Sequence, residues 1–354
     1  MSYVYVANAD AQDISVFRLE PGGALNACAT IPAQSPPQTG RSMLLALSPD
    51  QRFLYAAYLS GTQFAATTFA IDAGNGIPKR LGTAALADTM AYMVTDRAGR
   101  YLLCASYAGN KVTVNAIGAD GRIGAQLQDI ATAPKAHCIV ADASNRHVLH
   151  TSLGGDLIYQ QCFDPGSGEL SANAPATIAM RPGSGSRFLA LSPDARFVYV
   201  NGELDGSIAV HPYDSSAGTL RPCIQTASVL PAGFAGKPWA ADLRLSPGGK
   251  YLFASERTSS TLSAFAVDKA SGMLRLIGTV PSVRQPRALA IDPTGRYLVA
   301  AGQLSNTIQC YSIDPGTGAL ASLREYPVGR NPTWIEITGR GFAAAGNIAP
   351  PMRP

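Results

Sequence analysis

Residues Leu191–Gly202 read LSPDARFVYVNG, and the same phrase returns as LSPDQRFLYAAY at Leu47–Tyr58, LSPGGKYLFASE at Leu245–Glu256 and IDPTGRYLVAAG at Ile291–Gly302. A second phrase follows the first, as IAVHPYDSSAGTL from Ile208, LSAFAVDKASGML from Leu262 and IQCYSIDPGTGAL from Ile308; an early copy is ISVFRLEPGGAL from Ile14. Within each unit, apolar runs rich in Val, Ile, Tyr and Phe alternate with polar residues and are separated by Gly, Pro, Asp and Asn. That is the pattern of short strands joined by tight turns. Aligned on the aromatic that follows a basic residue, the anchors are Phe53, Tyr101, Phe197, Tyr251 and Tyr297, with His147 in the aromatic's place once, and they recur every 46 to 54 residues. This period suits a propeller blade better than a shorter solenoid unit. The second phrase ends at Leu25, Ile77, Ile123, Leu170, Leu220, Leu274 and Leu320, which predicts seven blades.

The two ends of the chain complete one another. The opening YVYVANADAQDISVF aligns with FVYVNGELDGSIAV and enters the repeat after its first strand, while NPTWIEITG from Asn331 supplies that strand. The expectation is an all-β, seven-bladed β-propeller of four-stranded antiparallel blades, closed by pairing of the N- and C-terminal strands, which removes exposed sheet edges. One domain spans 1–340 and a Gly-, Ala- and Pro-rich tail spans 341–354. No sustained helical period is present.

Of the 354 residues 46% are hydrophobic and 15% charged, and the net charge is +4 with Lys and Arg spread evenly. This balance argues against a nucleic-acid partner. The absence of a long apolar run argues against a membrane span, and the absence of a leader pattern suggests a cytoplasmic protein. The six cysteines form no CxxC pair and read as reduced, buried, small apolar side chains. A monomer is expected.

A propeller serves many functions, so chemistry is sought where the repeat is broken. Positions ten before and six after the anchor fall at the same end of a blade. Ten before stand Met43, Ala91, His137, Arg187, Ala241 and Arg287; six after stand Leu59, Tyr107, Leu153, Glu203, Arg257 and Gln303. Glu256 precedes Arg257, Asn8 takes a matching place in the N-terminal strand, Trp239 and Trp334 enter inner strands, and Asp242 adjoins Ala241. One His, one Glu and three Arg therefore converge on one mouth of the ring, a set able to hold an anion and move a proton. The basic residues Arg52, Arg100, Arg146, Arg196, Lys250 and Arg296 recur before every anchor at the opposite end and belong to blade architecture. The basic inventory of the mouth predicts no metal, and no dinucleotide, phosphate-loop or GxSxG motif suggests a cofactor.

The runs KPWAADLRLSPGGKYLFASERTSSTLSAF, RQPRALAIDPTGRYLVAAGQLSNTIQCYSID and VGRNPTWIEI closely resemble the bacterial seven-bladed lactonases of the 6-phosphogluconolactonase type, a fold family that includes a fungal carboxymuconate cyclase. The resemblance runs from Tyr3 to about Ile337. It implies a catalytic set of His137 in AHCIVAD, Arg187 in GSRFLALSP, Glu203 in VNGEL and Arg257 in SERTSS. Arg287, Asp242, Trp239, Gln303, Tyr107, Asn8, Glu256 and Trp334 are the expected substrate-binding residues. Where the family reads roughly GPRHM this chain has GSRFL, so Phe188 replaces a histidine. The implied activity is hydrolysis of a sugar δ-lactone, foremost 6-phospho-D-glucono-1,5-lactone, with a small anionic lactone as partner. An unphosphorylated or dicarboxylic sugar-acid lactone, a muconate-type cycloisomerisation, and a non-catalytic scaffold of the WD40 or kelch kind are the alternatives. Against the scaffold, the GH and WD pairs are missing.

Overall fold

The repeated phrases fold as antiparallel meanders. In the computed structural model, which describes residues 2–34, 43–60 and 63–339, the first phrase closes a blade's inner strand and forms the strand beside it. The second phrase forms the third strand and enters the outermost. Seven sheets result. The inner strands of blades 2 to 7 are Met43–Leu47, Tyr92–Thr95, Ala136–Ala141, Ser186–Leu191, Ala240–Leu245 and Pro286–Ile291. Blade 1 takes its inner strand, Pro332–Ile337, from the far end of the chain and pairs it with Ser2–Asn8. Neighbouring inner strands pack in order around the axis, and Pro286–Ile291 packs against Pro332–Ile337 to close the ring. The outermost strand of blade 5 is interrupted, running as Thr219–Leu220 and then Gln225–Ser228. Among the described residues there is no helix. The tail expected at 341–354 lies outside the described residues.

The SPD and DPT turns have a mechanical reason. The side chain of the turn's first residue accepts the backbone N–H of the anchor: Ser48 from Phe53 (3.0 Å), Ser192 from Phe197 (3.0 Å), Ser246 from Tyr251 (3.0 Å), Asp96 from Tyr101 (2.9 Å) and Asp292 from Tyr297 (2.7 Å). This side-chain bond fixes where the second strand begins.

Each anchor ring then lies on a glycine of the next blade's outer turn. A Cβ on Gly272 would stand 2.3 Å from the Phe197 ring, on Gly318 2.3 Å from Tyr251, on Gly168 2.4 Å from Tyr101, and on Gly121 2.4 Å from Phe53. His147 meets Gly218 in the same way and bonds Asp142 through Nδ1 (3.2 Å), so it packs as an anchor. In blade 1 the anchor is Tyr3, on Gly76, and two residues beyond their anchors Tyr5, Tyr55 and Tyr199 donate hydroxyls to the carbonyls of Gly76, Gly121 and Gly272. Of the preceding cations, Arg52, Arg100, Arg196 and Lys250 lie over their own anchor rings, and Arg196 and Lys250 reach carbonyls of the following blade, as expected of blade architecture.

The cysteines depart from expectation. Cys104, Cys138 and Cys310 are buried, but Cys162 is half-buried, Cys28 is exposed because the outermost strand of blade 1 turns one face to water, and Cys223 is exposed in the break of blade 5's outermost strand. None is in a disulfide.

The glycine contact gives a stability test. Gly272 and Gly233 both have positive φ, but nothing lies within 4 Å of a Cβ on Gly233. Gly233→Ala is expected to cost about 1 kcal/mol of backbone strain. Gly272→Ala adds ring overlap and is expected to cost about 3 kcal/mol or more, read from urea unfolding midpoints.

Candidate active site

Five successive inner strands around the ring, those of blades 4 to 7 and that of blade 1, where Thr333 is the extra residue, break their ladders at the same level. In blade 4, Ala136 pairs with Ser152 and Ile139 with His150, so His137 and Cys138 together face one residue of the neighbouring strand. In blade 5 the doubled pair is Arg187 and Phe188; in blade 6 it is Ala241 and Asp242; in blade 7 Arg287 is the extra residue. The inner strands of blades 2 and 3 run in unbroken register. A β-bulge bends its strand and re-aims its side chains. Here it brings His137, Arg187 and Arg287 to the mouth of the central channel, beside Glu203 and Arg257 from the turns that follow second strands.

Together they line a cavity of about 300 Å³, with Trp239 and Tyr107 at its edge. Glu203 Oε2 accepts from Arg187 Nε (2.7 Å) and Arg257 Nη2 (2.8 Å), while its Oε1 takes no hydrogen bond from a described residue. Arg187, almost fully buried, also donates to the carbonyl of Ala241 and lies 4.4 Å from the Phe188 ring centre. Arg257 donates to the carbonyls of Trp239 and Ala240 (3.1 Å each), its guanidinium 3.9 Å over the Trp239 ring. Arg287 makes no hydrogen bond or ion pair with any described residue. His137 sits edge-on to Tyr107 and Phe188, and its Nδ1 is buried without a partner among the described residues.

Burial sets the charge states. It pushes the His137 imidazole well below the usual histidine range, and Arg187, Arg287 and Arg257 push it the same way, so the ring is neutral at physiological pH. Burial alone would raise the Glu203 carboxyl, but Arg187 and Arg257 reverse the sign and leave it lowered, hence ionised. Burial and then repulsion from Arg187 lower both Arg257 and Arg287. A guanidinium starts high enough that both remain cations at neutral pH. Three arginines against one carboxylate leave the site with surplus positive charge.

The other expected substrate-binding residues lie elsewhere. Asp242 is fully buried, pairs with Arg244 (3.0 Å) and accepts from Leu289 N, because the bulge carries it one step past the mouth. Trp334 is buried against Tyr92 and Phe188, and Phe188 meets the His137 ring, so these aromatics pack behind the histidine without lining the cavity. Glu256 accepts from Trp239 N and Ser259 N and so braces a loop. Gln303 ties to Asn331, and Asn8 is buried on Asp13 and Ser15. Blade 3 contributes Thr89, Met90, Ala91 and Ala108, uncharged residues that leave room for a ligand. Apart from Ala91 they carry no marker in the repeat. A larger cleft of about 410 Å³ between blades 4 and 5 is mainly apolar and contains none of these residues, so chemistry singles out the mouth. Among the described residues no three of His, Cys, Asp and Glu are grouped to hold a metal ion.

The known proteins that this chain resembles form a consistent set. The family described as Lactonase, 7-bladed beta-propeller, matches residues 3–337. A 6-phosphogluconolactonase of Pectobacterium carotovorum subsp. carotovorum (strain PC1) is 37% identical over 289 residues, 81% of this chain and 84% of that protein. Among solved structures, a putative 6-phosphogluconolactonase from Bacteroides fragilis superposes with a TM-score of 0.85 at 26% identity, covering 96% of this chain and 98% of that one. A periplasmic gluconolactonase of Pseudomonas aeruginosa superposes with a TM-score of 0.84 at 28% identity, covering 96% and 99%. With its repeats, its closure and its charged mouth, the chain belongs to the seven-bladed β-propeller lactonase family.

Proposed function

We propose that the protein hydrolyses an anionic sugar δ-lactone, foremost 6-phospho-D-glucono-1,5-lactone to 6-phosphogluconate, the lactonase step of the pentose phosphate pathway, without a metal ion. The observation that carries this reading is Arg287, a cation in the cavity with no partner among the described residues, beside two arginines that share one carboxylate. Such a site selects an anion, and a planar fork suits phosphate or carboxylate. The names of the curated relatives support the phosphorylated lactone. The Pseudomonas gluconolactonase supports an unphosphorylated lactone as the second reading. The unpaired cysteines favour a reducing, cytoplasmic location.

In this mechanism water attacks the lactone carbonyl carbon as neutral His137 takes its proton, helped by Glu203. The negative charge that develops on the carbonyl oxygen is met by the guanidiniums of Arg187 and Arg257, already held by carbonyls and by Glu203 and so needing little reorganisation. Collapse of the tetrahedral intermediate breaks the bond to the ring oxygen, which recovers the proton from His137. The product acid then ionises. Arg287 holds the substrate's anionic end.

Three outcomes test this. With freshly generated 6-phosphogluconolactone, glucono-δ-lactone and a galactarolactone as substrates, corrected for spontaneous hydrolysis, the phosphorylated lactone is expected to turn over fastest. Equal rates on all three would remove the phosphate from the reading. His137→Ala is expected to lower kcat about a hundredfold or more with little change in unfolding midpoint, whereas Arg287→Ala raises KM for the phosphorylated lactone about tenfold to a hundredfold.

The pH profile is a separate check. Because His137 stays neutral well below the ordinary value of 6.5, kcat/KM is expected to remain flat as pH falls through 6.5 and to decline only at lower pH. An acid limb centred at or above 6.5 would exclude His137 as the base.

A further inference from the structure

The position four residues after the anchor is alanine in four blades, Ala7, Ala57, Ala105 and Ala301, and polar in three, Thr151, Asn201 and Ser255. This division coincides with a change in hydrogen bonding. Each of the four alanines pairs directly with an inner-strand residue, respectively Trp334, Leu44, Tyr92 and Ala288. In the other three blades the equivalent inner residue bonds a side chain instead. Cys138 N donates to Thr151 Oγ1 (3.0 Å), Phe188 N to Asn201 Oδ1 (2.7 Å), and Asp242 N to Ser255 Oγ (3.0 Å). All three polar side chains are buried.

The same side chains reach forward into the next blade. Thr151 Oγ1 donates to the carbonyl of Arg187 (2.7 Å), and Asn201 Nδ2 to the carbonyl of Ala241 (2.8 Å), the oxygen on which the Arg187 guanidinium also rests. In blade 6 the bond passes through Asp242, whose carboxylate accepts Leu289 N (2.8 Å) of blade 7. A chain of buried hydrogen bonds therefore runs from the bulge of His137 to that of Arg187, then to Ala241, and on to the strand of Arg287.

We propose that Thr151, Asn201 and Ser255 are positioning residues, which hold the bulges of blades 4 to 6 open and lock them to one another and to the strand of Arg287, so that His137 and the arginines keep a fixed spacing. The physical basis is that a bulge leaves an N–H unpaired, and a buried unpaired N–H is costly. In blades 4 to 6 the inserted side chain satisfies that donor and keeps the second bulge residue out of the backbone ladder. The alanine of the other blades has no such group, and there the ladder resumes at the alanine itself, past one extra residue in blades 7 and 1 (Arg287 and Thr333) and with none in blades 2 and 3. The inference rests on the lactonase reading for its kinetic test.

Thr151→Ala, Asn201→Ala and Thr151→Ser decide it, with Ser263→Ala as control. Ser263 is a buried hydroxyl that donates to the carbonyl of Val229 (2.8 Å) and has no link to the cavity. Alanine is already present at this place in four blades, so both alanine variants are expected to fold. In each, kcat is expected to fall about tenfold or more while KM changes less than about threefold. Thr151→Ser, which keeps the hydroxyl, is expected to stay within about threefold of the unmodified protein, as is Ser263→Ala. Alanine variants that keep kcat within about twofold would overturn the proposal, as would a Thr151→Ser variant impaired as badly as Thr151→Ala. If the unmodified protein turns over no lactone, the lactonase reading fails. The positioning role is then judged by calorimetric affinity for 6-phosphogluconate, where about tenfold weaker binding by Asn201→Ala supports it and unchanged affinity overturns it.

Discussion

The contact between an anchor ring and a glycine of the following blade is the constraint on which the rest of the structure depends. A propeller has little sequence-local stability, since each sheet must bury its faces against two neighbours. Seven contacts of the same geometry set the distance between blades: Tyr3 on Gly76, Phe53 on Gly121, Tyr101 on Gly168, His147 on Gly218, Phe197 on Gly272, Tyr251 on Gly318 and Tyr297 on Gly23. The last of these joins the final blade to the first, so ring closure uses the same contact as every other junction. No side chain larger than hydrogen fits beneath these rings, and the glycines also adopt positive φ. The turn chemistry that starts each second strand serves the same end by placing the ring at a fixed point along the strand.

Fixed blade spacing matters because the functional side chains come from different blades. His137 is from blade 4, Arg187 and Glu203 from blade 5, Arg257 from blade 6 and Arg287 from blade 7. They are separated along the chain by up to 150 residues and are brought together only by rotation around the axis. Glu203 pairs with Arg187 of its own blade and with Arg257 of the next, so the second of these ion pairs is a contact between blades. A small error in blade spacing would separate it, and a truncated buried ion pair is worse than none.

The propeller and its strand swap were legible because they rest on repetition, which sequence displays directly. The residues at the two equivalent offsets were legible for the same reason: His137, Arg187, Glu203, Arg257, Arg287 and Tyr107 all reach one cavity. The misplaced residues are those whose position depends on the pleat. Asp242 is the second residue of its bulge and Trp334 follows the extra residue Thr333, and one step along a strand changes the face on which a side chain stands. Asn8, Glu256 and Gln303 sit at the right level but satisfy backbone and side-chain groups of their own loops, a role that spacing alone does not separate from ligand binding. Thr151, Asn201 and Ser255 occupied a regular position in the repeat throughout. Their departure from alanine acquires meaning only once the ladder is seen to break opposite them.

The charge balance of the mouth connects stability with binding. Burying three guanidiniums beside a single carboxylate is unfavourable, because each cation loses hydration and Arg287 regains no partner among the described residues. Relaxation of the strand ends toward water would relieve that cost. The hydrogen bonds through Thr151 and Asn201, together with the packing of Phe188, Tyr92 and Trp334 below, oppose such relaxation. The arginines are thus held close to one another before any ligand arrives, and the repulsion between them is stored in the folded protein. An anion entering the cavity supplies the missing partner and relieves that repulsion, so binding favours the folded state as well as the complex. A site built this way has its largest electrostatic gain available at the moment negative charge enters or develops within it, which is the requirement of a reaction that passes through an oxyanion.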